Sequence, residues 1–145
     1  MDMRQITPTF FVAPQIDPAD MADAVAAGIT LIIDNRPDSE VPTTHQADAM
    51  EAAAHAAGLA FVRLPLTHQT MTPDNVGQQS SLISNAGGQV LAYCASGTRS
   101  TIAWALGEAQ QGTLSADEIF SAAEKGGYDL QNVRPTLDAL MAQRR

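Results

Sequence analysis

Short runs rich in β-branched and aromatic residues alternate along this chain with longer, alanine-rich segments whose apolar positions recur every three or four residues. That alternation predicts parallel strands joined by helices that cross back over the sheet. "FFVA" (10–13) reads as a first strand. Asp17 as cap and Pro18 at the first helical position then open a helix to about Ala27, closed by Gly28. "TLIID" (30–34) predicts a second, fully buried strand, followed by the polar loop "NRPDSEVPTT".

"HQADAMEAAAHAAG" (45–58) predicts a helix with a glycine stop, and "AFVRLP" (60–65) a third strand. Thr72 caps the next helix, with Pro73 in its first position, Asp74 in its first turn and Gly87-Gly88 at its end. "QVLAYC" (89–94) is the fourth strand, and the helix after it starts near Arg99 and runs to about Gln110. "SADE" (115–118) is a capping box opening a helix that ends at Gly126-Gly127, and a last amphipathic helix begins at Pro135. The expected architecture is one α/β domain over residues 1–145, with a four- to five-stranded, mainly parallel sheet flanked by helices.

No apolar run approaches the roughly 20 residues that a membrane span needs, and the N-terminus has no secretory pattern, so a cytoplasmic, membrane-independent protein is expected. A formal charge of −8 repels polyphosphate backbones, and the eight basic residues, Arg4 to Arg145, are scattered, which argues against nucleic acid as a partner. The one cysteine, Cys94, cannot form an internal disulfide.

Its setting makes it a candidate nucleophile. Ligands of parallel α/β sheets gather where strands end and helices begin, and Cys94 closes a strand at that edge. Ala95, Ser96, Gly97 and Thr98 are all small, so a tight loop can turn its N–H groups inward as an anion nest, reinforced by the helix N-terminus. That field and the nearby Arg99 favour the thiolate, and the planar guanidinium matches a tetrahedral oxyanion. Such a loop can attack and hold an anionic group at once, which covalent transfer of phosphoryl or sulfane sulfur requires. The plain alternative is a buried cysteine ending a strand as a small apolar residue. Ser100 can donate to the thiolate or be an ordinary first-turn residue.

"CASGTRS", taken with "LIIDNRPDSE", "GLAFVRLPL" and "VLAYCASGTRSTIAWAL", resembles the phosphatase-like domain of the beta-lactamase hydrolase-like proteins, a bacterial group also labelled sulfurtransferase. The resemblance covers residues 8–140 or so and implies a fold like that of the protein tyrosine and dual-specificity phosphatases. It also implies that Cys94 is the nucleophile, that Arg99 and the backbone of Ser96, Gly97 and Thr98 bind the transferred group, and that Ser100 supports the thiolate.

Two departures bear on the chemistry. Tyrosine phosphatases place five residues between cysteine and arginine; this chain has four, as in rhodanese loops of the "CxxGxR" kind. The phosphatases also carry an aspartate general acid after the equivalent of the third strand, where this chain reads "LTHQTM". His68 is the one titratable side chain there, either an acid or an ordinary loop histidine, and Asp74 is better explained by its helix. Sulfur transfer needs no acid when sulfite departs, so the expected function is passage of sulfane sulfur through a Cys94 persulfide from thiosulfate or another persulfide to a thiol acceptor. The alternatives are a phosphoester phosphatase working through a Cys94 thiophosphate, and a non-catalytic anion or persulfide sensor.

Arg36, beside Asp34 at the end of the second strand, can reach an anionic substrate or simply brace the "DNRPD" turn. His45 and His55, ten apart, lack the spacing of a helical metal pair, so neither a metal nor another cofactor is expected. Trp104 and the methionines read as packing residues, and "GTRS" lacks the lysine of a nucleotide-binding phosphate loop.

Overall fold

The computed structural model describes residues 1–143; Arg144 and Arg145, counted above among the scattered basic residues, lie outside the described residues. Five strands form one sheet: β1 (Arg4–Thr7), β2 (Phe10–Ala13), β3 (Ile29–Asp34), β4 (Ala60–Arg63) and β5 (Gln89–Tyr93), in the order β1-β2-β5-β3-β4. Only β1 runs antiparallel, paired to β2. Six helices of the described residues return the chain: α1 (Met21–Ala26), α2 (Ala47–Ala56), α3 (Pro73–Asn85), α4 (Thr98–Gln111), α5 (Ala116–Lys125) and α6 (Arg134–Gln143).

The anticipated α/β architecture is therefore present, with adjustments at the ends of elements. β1 has one buried apolar residue, Ile6, and so too little alternation to announce itself; the Thr7 Oγ1 accepts from the Phe10 N–H (3.0 Å) and turns it into β2. The first helix starts as a single 3₁₀ turn at Pro18–Asp20, where the Asp20 carboxylate accepts from the Asp17 N–H (2.8 Å). His45 sits in a separate turn, Thr43–His45, because the Asp38 carboxylate accepts from the Ala47 N–H (2.8 Å) and starts α2 there. β4 ends at Arg63, two residues earlier than expected. Within β3, Thr30 is exposed rather than buried. Thr72 and Ser115 cap α3 and α5 as read from the sequence.

Alternation of side chains across the sheet produces two cores. Ile32, Leu91 and Tyr93 pack with Met50 and Ala54 of α2, while Ile33, Val90 and Ala92 pack with α3 to α6. Helix α4 is the centre of the second layer: eight of its residues are buried, including Trp104, whose ring stacks on Phe10 at 6.3 Å. A helix enclosed on so many sides holds its N-terminus firmly at the carboxyl edge of the sheet. No helix of the described residues is long and apolar enough to cross a membrane.

Candidate active site

β5 lies mid-sheet between β2 and β3, so the loop leaving it is braced from both sides. The Cys94 N–H donates to the Ala13 carbonyl (3.4 Å), and the Gln15 N–H donates to the Ala95 carbonyl (3.2 Å). Gly97 turns the chain into α4 with φ at +92°, a left-handed conformation that glycine adopts without strain. That turn brings the Gly97 N–H onto the Cys94 sulfur at 3.1 Å. Ala95, Ser96 and Thr98 stand exposed around a sulfur that is itself wholly buried.

The other loop contacts hold the backbone. The Thr98 N–H is taken by Ser96 Oγ (3.3 Å), and Ser96 Oγ donates to Thr98 Oγ1 (2.9 Å). Tyr128, arriving from the end of α5, donates its hydroxyl to the Ser96 carbonyl (2.9 Å) and so pairs that oxygen. Thr101 closes the first turn of α4 by donating to the Gly97 carbonyl (2.7 Å).

Arg99 lies beside the sulfur, engaged on two sides. Its Nη1 donates to the Leu66 carbonyl (2.9 Å) and to Glu40 Oε2 (2.9 Å), and its Nη2 donates to Glu40 Oε1 (2.7 Å). Glu40 also accepts from the Nε of Arg36 (3.3 Å). Its carboxyl is held below the usual carboxylate range, first by the Arg99 hydrogen bonds, against partial burial, and with help from Arg36. Arg99 is raised above its ordinary value chiefly by Glu40, and the Cys94 sulfur contributes to the same shift.

A buried polar network supports this arrangement from below. Asn35, directly after β3, donates from Nδ2 to the Leu64 carbonyl (2.9 Å) and to Gln79 Oε1 (2.9 Å), and Gln79 Nε2 donates to the Ser100 carbonyl (3.3 Å). The Leu66 N–H donates to the Asn35 carbonyl (2.9 Å), so the oxygen that grips Arg99 belongs to a residue fixed by Asn35.

Cys94, Ala95, Ser96, Gly97, Thr98 and Arg99 surround one sulfur at the start of α4, and Arg36 joins them through Glu40. One expectation is corrected. Ser100 is wholly buried and its Oγ has no hydrogen-bond partner among the described residues, so it makes no bond to the Cys94 sulfur; it is the Ser100 carbonyl that joins the network, through Gln79. His68 is exposed on a turn closed by the Thr70 N–H on the Thr67 carbonyl (3.2 Å), and it makes no hydrogen bond or ion pair with the described residues. His45 binds Asp17 across 2.6 Å. Asp34 belongs to the opposite sheet face, beside Tyr93 in register and lining a cavity of about 250 Å³ with Arg36 and Arg63. Burial raises the Asp34 carboxyl to about 6, against the Arg36 N–H that it accepts. Burial, then the charge of Asp34, raises the Tyr93 phenol, although its oxygen closes no hydrogen bond of good geometry. A cavity of about 750 Å³ around Ser115, Arg134 and Asp138 lies at the far end of α4 from the thiol.

Four contributors were not singled out from the sequence: Glu40, Asn35, Gln79 and Tyr128. Gln79 had a visible signal, since it shares the buried side of α3 with Val76, a polar residue where an apolar one is expected. Glu40 stood within the quoted "NRPDSE", but nothing local says that it reaches a partner 59 residues away.

Residues 2–111 match the family model described as the beta-lactamase hydrolase-like protein, phosphatase-like domain. The chain belongs to this family. A beta-lactamase hydrolase-like protein of Xylella fastidiosa is 36% identical over 103 residues, 71% of this chain and 24% of that protein. The chain thus spans about a quarter of this curated relative's length. Among solved structures, a Neisseria meningitidis protein with a provisional phosphatase name is 31% identical and superimposes with a TM-score of 0.85, covering 97% of this chain and 99% of its own. P. aeruginosa TpbA, solved as a cysteine-to-serine variant in complex with pTyr, is 15% identical with a TM-score of 0.68, covering 98% of this chain and 89% of its own. The phosphatase-like domain is therefore built on the tyrosine-phosphatase fold.

Proposed function

We propose that this phosphatase-like domain hydrolyses a phosphate monoester through Cys94. The thiolate attacks phosphorus, forming an S–P bond as the ester P–O bond breaks, and water then cleaves the thiophosphate to release inorganic phosphate and restore the thiolate. Arg99 and the loop N–H groups hold the phosphoryl oxygens. The observation that carries this reading is the Gly97 N–H at 3.1 Å from a sulfur set at the floor of the loop, with the Arg99 fork beside it. The likeness to the Neisseria protein and the pTyr complex of TpbA support a phosphoester over the sulfur donor expected from the sequence.

The spacing keeps sulfur transfer as a second reading. With four residues between Cys94 and Arg99, the ring of N–H groups is tighter than in a tyrosine phosphatase and suits one added sulfur atom. In that chemistry the thiolate takes the outer sulfur of thiosulfate, sulfite leaves, and the persulfide passes its sulfur to cyanide or a thiol. Both readings are tested by giving wild-type protein and Cys94→Ser an aryl phosphate and, separately, thiosulfate with cyanide. Cys94-dependent phosphate release supports the phosphatase. A sulfur adduct of Cys94 with thiocyanate formation overturns it in favour of sulfur transfer. Anion binding with neither product leaves a sensor.

A further inference from the structure

Phosphate ester cleavage leaves an alkoxide or phenoxide that needs a proton, and the loop after β4 offers only the exposed His68. Glu40 holds a carboxyl in contact with the arginine of the site, in the turn Asp38–Glu40 between Pro37 and Val41. Its two oxygens occupy Nη1 and Nη2 of Arg99, a bidentate edge of the guanidinium that suits a phosphoryl group equally well. Substrate and Glu40 therefore compete for one guanidinium face. Arg99 itself keeps its place during the exchange, because the Leu66 carbonyl still holds its Nη1.

The charged groups that face Glu40 are Arg36 from its own segment and Arg99 from α4, with the Cys94 sulfur behind Arg99. When a dianionic phosphoryl group takes Arg99, Glu40 loses its strongest partner and gains a dianion as a neighbour. Both changes raise its proton affinity. Arg36 still tethers it to the rim, through Nε to the carboxylate and Nη2 to the Glu40 main-chain carbonyl, both at 3.3 Å.

We infer that Glu40 is the general acid of the reaction, armed by substrate binding: it yields Arg99 to the phosphoryl group, takes a proton from solvent, and donates it to the leaving oxygen. The inference rests on the phosphatase reading. The protonated Glu40 gives its proton to the leaving oxygen as the P–O bond breaks and the S–P bond forms, leaving an alcohol and a carboxylate. That carboxylate accepts a proton from the attacking water as the S–P bond breaks, which regenerates the acid, the thiolate and hydrogen phosphate. The closed pairing of Glu40 with Arg99 is then the resting state, and the free enzyme holds no proton at this carboxyl.

Two measurements test it. In the first, Glu40→Gln is compared with wild type on phenyl phosphate, whose leaving group needs a proton, and on 2,4-dinitrophenyl phosphate, whose leaving group does not. The expected loss in kcat is about 100-fold on the first ester and less than about 5-fold on the second, with Glu40→Asp intermediate and the basic limb of the kcat profile absent in Glu40→Gln. Equal losses on both esters mean that Glu40 only positions Arg99, and equal gains mean that it only plugs the site; either result overturns the inference. In the second, tungstate is titrated calorimetrically into Cys94→Ser in two buffers of different ionisation enthalpy. Proton uptake that disappears in Cys94→Ser/Glu40→Gln is expected. Tungstate binding without uptake removes Glu40 as the acid and leaves the phosphatase reading intact, whereas no tungstate binding and no wild-type turnover of either ester removes both.

Discussion

Gln79 of α3 and Asn35 at the end of β3 share a 2.9 Å hydrogen bond in positions without solvent exposure, and Gln79 continues to the Ser100 carbonyl at 3.3 Å. One side chain thereby joins the strand end that fixes Leu66 to the first turn of the helix that carries Arg99. Removing it leaves the Ser100 carbonyl without this bond and the Asn35 Nδ2 with Leu64 alone, an imbalance of roughly 1–3 kcal/mol.

Gln79→Met keeps the volume and removes the hydrogen bonds. Its unfolding free energy is expected to fall by about 1–3 kcal/mol in urea, and its kcat by about 10-fold with KM nearly unchanged, because Arg99 is then less well placed for the transition state. A loss of stability with kcat intact would reduce Gln79 to a core residue.

Arg99→Lys retains the charge and loses the fork. We expect a fall in kcat of about 100-fold or more. Lysine keeps a positive charge opposite Glu40, so the change in melting temperature is expected to be small. Steady-state kinetics and a melting curve on one preparation check both.

Gly97→Ala is expected to damage loop and stability together. The φ of +92° is strained for alanine, and the added Cβ would collide with the Tyr128 hydroxyl. A loss of at least about 2 kcal/mol is expected from the backbone conformation and the clash together, along with slower alkylation of Cys94 as its Gly97 N–H moves away. Tyr128→Phe removes only the bond to Ser96, and about 1 kcal/mol of lost stability is expected. Iodoacetamide labelling followed by mass measurement separates the two variants.

Asp34 makes stability depend on pH. Burial lifts its folded-state pKa to about 6 from 3.8, so between those values the native chain binds a proton that the unfolded chain has released. Stability is then highest below the unfolded value and falls as pH rises through the folded one, by about 3 kcal/mol in all. Asp34→Asn, which can still accept from the Arg36 N–H, is expected to be more stable than wild type at pH 7.5 and to converge with it near pH 4. Urea unfolding at both pH values checks the sign, and a wild type favoured at high pH would refute it.

Strand and helix order was legible because each element carries its own local evidence. β-branched runs mark β3 and β5, and Thr72 and Ser115 announce the starts of α3 and α5. β1 escaped because an edge strand with one buried residue has no periodicity to read. The same limit separates Cys94 and Arg99, which lie five residues apart on one loop and the helix it opens, from Glu40, Asn35, Gln79 and Tyr128, which support that site from three other segments.

By itself the sequence determined the α/β pattern, the cysteine at a strand end, the small residues that permit a tight loop and the arginine that follows. All of these are consequences of neighbours along the chain, where backbone conformation and short-range hydrogen bonding act. Tertiary structure alone decided which charge meets Arg99, that Ser100 contributes its carbonyl rather than its hydroxyl, and that Asp34 falls on the other face of the sheet. Those outcomes depend on helix packing and on which way each strand residue alternates across the sheet, relationships that no local spacing encodes.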